Sequence, residues 1–234
     1  MKILNLLILF ISTNAFCQSS TDDILKQGND LQTQGKNEEA IKIYNDAIKS
    51  NASNPEVFYY RANAYFDLKK YNNALSDYST CIKLAPSHIQ AIYNRGNTFF
   101  ELENYTDAIA DFTHVLDLDS AFFDAYFDRA NTYFKLEKYE KSITDFNKGI
   151  KLSPNEADPY YDRANSLFML AEYDEALKDY SKAIELKNDN SNYYFNKAIT
   201  EFNLEILEEG CKDMQKASEF GDKEADKYFM ELCQ

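Results

Sequence analysis

Along residues 125–154 the apolar side chains recur at helical spacing in two blocks, first Tyr126, Ala130 and Tyr133, then Ile143, Phe146 and Ile150. A short charged break, Glu137-Lys138, lies between them and is followed by Tyr139. Spacings of three and four place each block on one face of a helix. The stretch therefore predicts two helices folded back on each other, neither able to bury its apolar face alone. The same pattern returns thirty-four residues earlier and thirty-four later.

Taken in register from Thr21, six blocks of 34 residues follow without insertion: 21–54, 55–88, 89–122, 123–156, 157–190 and 191–224. Position eight reads Gly28, Ala62, Gly96, Ala130, Ala164 and Ala198, and position twenty reads Ala40, Ala74, Ala108, Ser142, Ala176 and Gly210. Small residues at these two places let the helices of one hairpin approach closely. Position twenty-four reads Tyr44, Tyr78, Phe112, Phe146, Tyr180 and Met214, large side chains that fill the gap toward the next hairpin. Pro86 and Pro154 fall where a helix must stop.

The period and these positions resemble the tetratricopeptide repeat family, over residues 21–224. The resemblance implies an all-α, right-handed solenoid of six helical hairpins. The ends depart from the pattern. Block one has Asn37 at position seventeen, where the middle four have Tyr71, Tyr105, Tyr139 and Tyr173. Block six has Glu201 at position eleven, in place of Tyr65, Phe99, Tyr133 or Leu167. End units face water on one side, so relaxed packing is expected there. Lys223 to Leu232 reads as one more helix, and residues 225–234 are assigned as a C-terminal capping helix over the last hairpin.

Position seven, normally apolar in the family, is Arg61, Arg95, Arg129 and Arg163 in the middle blocks, and position twenty-three is Asp77, Asp111, Asp145 and Asp179. A fold near position fifteen sets the two opposite each other. Block one loses both charges together (Gln27, Ile43), and block six keeps both (Lys197, Asp213). An Arg–Asp bridge within each hairpin is predicted, with a structural role in fixing register.

Composition changes the picture in two ways. With 18 Tyr, 17 Phe, six Gly and four Pro in 234 residues, the chain suits helices with short connections. The formal charge of −14 argues against gripping nucleic acid or an anionic membrane surface, both of which call for Lys and Arg. Met1–Cys17 reads as a secretory signal peptide, with Lys2, a short apolar core over Leu6–Ile11, and small residues Ala15 and Cys17 before a cut. Its apolar run is too short for a permanent span. A lipid anchor on Cys17 is the rival, disfavoured by Phe16 where a small residue belongs. Residues 18–20 form a short lead-in, and export to a periplasm or the exterior is expected. Asn51-Ala-Ser53 and Asn104-Tyr-Thr106 match a glycosylation acceptor that matters only in a eukaryotic secretory pathway.

Cys81 occupies a small-residue core position. Cys211 and Cys233 lie symmetrically about a turn near Asp222, on helices expected to run antiparallel, which favours a disulfide in an exported protein. No Gly-rich phosphate loop, nucleophile–base set or metal spacing occurs, so no enzyme activity, cofactor or metal is expected.

In the family the first helix of each hairpin lines a groove. The resemblance carries groove positions onto Tyr59, Tyr93, Phe127 and Tyr161 at position five, and onto Asn63, Asn97, Asn131 and Asn165 at position nine. Phe66, Phe100, Phe134, Phe168 and Phe202 stand at position twelve, and acids Asp22, Glu56, Asp124 and Asp158 at position two. An asparagine row carries donors and acceptors that suit an extended peptide backbone, and the acid margin suits a basic one. The bland alternative makes the position-twelve rings packing residues and the asparagines a habit of the repeat. Two functions stand open: an exported module binding a peptide or protein partner in the groove, or a scaffold subunit of an envelope or secretion assembly that uses its outer face and ends. Oligomeric state is not specified.

Overall fold

A computed structural model describes residues 23–50 and 53–233. The expected leader, the lead-in, Asp22 and the acceptor Asn51 lie outside the described residues. Within them the chain is thirteen helices and no strand: α1 (described over 23–33), α2 (Asn37–Ser50), α3 (Pro55–Asp67), α4 (Tyr71–Leu84), α5 (Ile89–Glu101), α6 (Tyr105–Leu118), α7 (Phe123–Lys135), α8 (Tyr139–Leu152), α9 (Ala157–Met169), α10 (Tyr173–Leu186), α11 (Ser191–Asn203), α12 (Leu207–Glu219) and α13 (Lys223–Leu232). The fold is all-α and built of helical hairpins, each occupying one 34-residue block. The chain divides into two compact units, up to His114 and from Val115.

In the N-terminal unit α3 packs on α4 as a hairpin, and the hairpin is flanked by α2 and α5. In the C-terminal unit α7 pairs with α8, α9 with α10 and α11 with α12, consecutive hairpins pack side by side, and α13 lies on α12. The position-twenty-four side chains Tyr44, Tyr78, Phe112, Phe146, Tyr180 and Met214 are all fully buried. Each such burial stabilises by about 1.5–3 kcal/mol relative to exposure.

The turn between the helices of a hairpin is the same throughout. Position fifteen adopts the left-handed conformation, with φ of 57° at Lys69, Glu103 and Glu137, 59° at Ala171 and 61° at Glu205. Only block one supplies glycine there, Gly35. Helix starts are capped where the sequence offers a short polar side chain: Asn54 accepts from the Glu56 amide ahead of Pro55, and Asp222 accepts from the amides of Glu224 and Ala225.

Arg61 and Asp77 form two parallel bonds of 2.6 Å, and Arg95–Asp111, Arg129–Asp145 and Arg163–Asp179 repeat the fork at 2.6–2.9 Å. A third arm reaches back to the preceding hairpin, from Arg61 to Asn45 at 2.6 Å, from Arg95 to Ser79 at 3.2 Å, and from Arg163 to Asn147 at 2.6 Å. The guanidinium thus ties a hairpin together and to its neighbour, which a lysine could not do with the same planar fork. Block six has the lysine. Lys197 meets Asp213 and, at 2.6 Å, the buried Glu201.

Cys211 and Cys233 are paired, with Cα atoms 5.6 Å apart, tying the end of α13 to α12. Cys81 is buried, and burial pushes its thiol up to about 12, which leaves it an inert core residue.

Candidate functional site

The first helices of successive hairpins touch only lightly, α3 with α5 and α9 with α11, so a furrow runs between them. Two pockets open in these furrows. The first, in the N-terminal unit, is a cavity of about 330 Å³ lined by Gln32, Asn63, Phe66, Asp67, Tyr78, Asn94 and Asn97. The second, in the C-terminal unit, is a cavity of about 340 Å³ lined by Phe134, Asn165, Phe168, Met169, Tyr180, Asn196 and Ile199, with Phe195 added. Each of the first seven lies three repeat lengths from its counterpart in the other pocket.

Both pockets rest on one hydrogen-bond network. In the first, the Tyr78 hydroxyl donates to Asn63 Oδ1 at 2.6 Å. Asn94 Nδ2 donates to the same oxygen at 3.0 Å and toward the Tyr59 hydroxyl at 3.5 Å. In the second, the Tyr180 hydroxyl donates to Asn165 Oδ1 at 2.8 Å. Asn196 Nδ2 donates to that oxygen at 2.9 Å and to the Tyr161 hydroxyl at 2.8 Å. Burial raises the Tyr78 and Tyr180 phenols far above their ordinary range, so both remain protonated donors at any ordinary pH.

Tyr59, Asn63, Tyr161 and Asn165 are therefore brought together in pairs, with their carbonyl and hydroxyl oxygens already taken. What Asn63 and Asn165 leave for a ligand is the amide nitrogen, not a full donor–acceptor pair. The hairpin of Asn131 carries Phe146, which has no hydroxyl, at position twenty-four, and Asn131 hydrogen-bonds the carboxyl of Asp162. Burial raises that carboxyl to about 6, against the opposing pull of the Asn131 bond. Tyr93 packs on Phe112 at 5.9 Å between ring centroids, and Asn97 lines the first pocket.

Phe127 is not a groove residue. It is buried to 7% exposure against Ala130, Phe146 and Ile150. Gly149 makes this possible, because a Cβ there would meet the Phe127 ring at 2.3 Å. The acid margin is also partly committed. Glu56 lies 3.3 Å from His88 Nε2, and Asp158 accepts from the buried Tyr193 hydroxyl.

The position-twelve rings pack within their own hairpin. Phe66, Phe100, Phe134 and Phe168 meet Tyr71, Tyr105, Tyr139 and Tyr173 at 5.3–5.6 Å, edge-on or steeply tilted. All four are half-buried, and Phe66, Phe134 and Phe168 reach the pockets. Block one loses both rings together, having Gln32 and Asn37.

Position six is not expected in the site, whereas position thirteen is one that the resemblance places on the groove. Position six had a readable signal. Behind Tyr78 and Tyr180 the next block has Asn at six (Asn94, Asn196), and behind Phe112 and Phe146 it has Asp (Asp128, Asp162); Tyr44, followed by Tyr60, stands outside this pattern. A phenol donor fills the asparagine carbonyl and favours an amide partner, and its absence favours an acceptor partner. Position thirteen, with Asp67 and Met169, carried no pattern to read. No cluster of three or more candidate metal ligands occurs among the described residues.

Comparison with known proteins places this geometry. Residues 96–137 and 130–171 match a TPR repeat model, residues 157–190 match a tetratricopeptide repeat model, and residues 33–115 match the model described as anaphase-promoting complex, cyclosome, subunit 3. No curated protein matches in sequence. Among solved structures, PilF of Pseudomonas aeruginosa is similar with TM-score 0.78 at 14% identity, over 92% of this chain and 99% of that one. A tetratricopeptide repeat protein from Parabacteroides merdae is 28% identical, over 89% and 82% of the two chains, with TM-score 0.63. YrrB, described as a TPR protein with an unusual peptide-binding site, is 20% identical over 81% and 98%, with TM-score 0.69. Hairpin geometry, repeat models and structural neighbours agree on one identity at the level of fold: this chain is built of tetratricopeptide repeats.

Proposed function

We propose that the protein is an exported interaction module that holds an extended segment of a protein partner on its first-helix face and performs no chemistry of its own. The observation that carries this reading is the pair of pockets. Each offers an asparagine amide beside half-buried aromatic rings, on a scaffold whose rigidity is set by the buried Tyr–Asn–Asn network. YrrB, similar in fold, is described as having a peptide-binding site. Export rests on the Met1–Cys17 pattern, and a Cys211–Cys233 bond fits an oxidising compartment. The exposed acids Asp67 and Asp124 support a preference for basic partners.

The test is a pull-down from envelope extract with the chain from Gln18 as bait, beside a variant carrying Asp67→Lys and Met169→Lys. Both side chains are exposed, so unchanged helical melting is expected. Loss of partners in the variant supports the first-helix face as the working surface. Retention of the same partners overturns that reading.

A second reading has its own observation. Leu207, Met230 and Leu232 are each about 60% exposed near the Cys211–Cys233 pair, where Leu207, Phe229 and Leu232 line an open depression. Such an end surface fits permanent attachment in a larger assembly. Leu207→Glu with Leu232→Glu separates the two readings, since only the scaffold reading expects this change to release a stoichiometric complex.

A further inference from the structure

The two pockets share a floor and differ at the rim. Asn63, Phe66, Tyr78 and Asn94 have identical counterparts in Asn165, Phe168, Tyr180 and Asn196. The three remaining positions change class: Gln32, Asp67 and Asn97 in the first pocket stand where Phe134, Met169 and Ile199 stand in the second. In the first pocket the Tyr44 hydroxyl donates to Gln32 Oε1 at 2.7 Å, so that carbonyl is satisfied. Asp67 has no ion-pair partner among the described residues, and partial burial raises its carboxyl above the ordinary carboxylate range. An unpaired carboxylate losing water at a cavity rim gains most from a cation. The second pocket has no carboxylate in its lining, and Phe134, Phe168, Met169, Phe195 and Ile199 wall it with apolar surface.

We propose that the pockets are side-chain sites of opposite preference: the first takes a lysine or arginine of the bound peptide through Asp67, and the second takes a large apolar side chain between Met169 and Ile199. The proposal rests on the peptide-holding reading and adds to it the class of side chain each site selects. Charge complementarity decides the first occupant. Burial of apolar area, with the asparagine amides free to meet the peptide backbone, decides the second.

The experiment uses two probes, acetyl-Gly-Lys-Gly-amide and acetyl-Gly-Phe-Gly-amide, titrated into the chain from Gln18. Side-chain amide signals of Asn94 and Asn196 and the Met169 methyl signal are followed by NMR. The lysine probe is expected to move Asn94 and leave Asn196 still, with an effect that fades as salt rises. The phenylalanine probe is expected to move Asn196 and Met169 and leave Asn94 still. Asp67→Met is expected to abolish the lysine response, and Met169→Asp to weaken the phenylalanine response by about tenfold. Both altered side chains are exposed, and thermal melting checks that the fold is kept. Equal response of both pockets to both probes, or preferences unchanged in the variants, overturns the proposal. A ten-residue peptide alternating Lys and Phe separates the two levels. If it moves both asparagines while the variants keep wild-type preference, the selectivity falls and the peptide-holding reading stands; if no peptide moves either, both fall.

Discussion

The pocket of the N-terminal unit and the pocket of the C-terminal unit are the same construction with different rims. In each, a buried tyrosine hydroxyl and the next repeat's asparagine amide converge on one asparagine carbonyl, at 2.6 and 3.0 Å in the first and 2.8 and 2.9 Å in the second. Gln32, Asp67 and Asn97 make one rim polar and acidic, while Phe134, Met169 and Ile199 make the other apolar. The lesson is a division of labour within the repeat. Asn63, Tyr78 and Asn94, with their counterparts Asn165, Tyr180 and Asn196, hold the frame, and the residues at the opening, Gln32, Asp67 and Asn97 against Phe134, Met169 and Ile199, differ without disturbing it.

The units differ a second time in their charge pairs. Removing a carboxylate from the N-terminal unit by Asp77→Ala strands a half-buried arginine, and a loss of about 3 kcal/mol is expected. Asp213→Ala in the C-terminal unit leaves Lys197 its second partner, Glu201, so a loss of only about 1 kcal/mol is expected. Chemical denaturation of both variants checks the contrast, and equal losses would break it.

Asn165→Ala leaves the Tyr180 hydroxyl buried without an acceptor and should cost about 2 kcal/mol. Asn131→Ala, in a hairpin with Phe146 at position twenty-four, strands no phenol, so about 1 kcal/mol is expected. The same measurement shows whether tyrosine-type and phenylalanine-type hairpins differ as their networks say.

Glu201 sharpens the comparison through pH. It occupies a position that is aromatic or leucine in the middle four blocks, and burial raises its carboxyl to about 7 despite Lys197. Because the folded state holds that proton more tightly than the unfolded state, with its ordinary value near 4.5, stability falls as pH rises from about 4.5 to 7. Asp162, raised to about 6, adds a smaller fall in the same direction. Glu201→Leu should stabilise by about 1–2 kcal/mol at pH 7.5, have little effect near pH 4.5, and reduce the slope between them. Melting at a series of pH values checks it, and an unchanged slope would show that the charge is already relieved.

The smallest expected effect lies in the turns. Ala171 sits at φ 59° without the side-chain help available to Asn or Asp. Ala171→Gly should stabilise by about 0.5–1 kcal/mol, with Gly35→Ala in the other unit losing a similar amount.

Much of the frame was legible. Thirty-four-residue spacing placed every hairpin, and the paired loss of charge at Gln27 and Ile43 pointed to Arg–Asp bridges within hairpins. The pairing of Tyr78 with Asn94 and of Tyr180 with Asn196 is present in the letters too, with Tyr44 and Tyr60 outside it, but only the observed contact between Asn94 and Asn63 gives it meaning. Phe127 shows the limit from the other side. Its position matches Tyr59 and Tyr161, yet a glycine on a different helix, Gly149, lets it sink into the core.

By itself the sequence determined the repeat, the all-helical hairpins, the large buried side chains at position twenty-four and the residues available for ion pairs. These follow from periodicity, because a side chain's face on a helix depends only on its spacing along the chain. Tertiary structure alone decided which asparagine oxygens are spent, that Phe127 is buried, that the arginine's third arm reaches the preceding hairpin, and that Asp67 and Met169 stand at matching openings. Those depend on which atoms of different repeats come within hydrogen-bonding or van der Waals reach, a matter of angstroms that spacing along one helix does not fix.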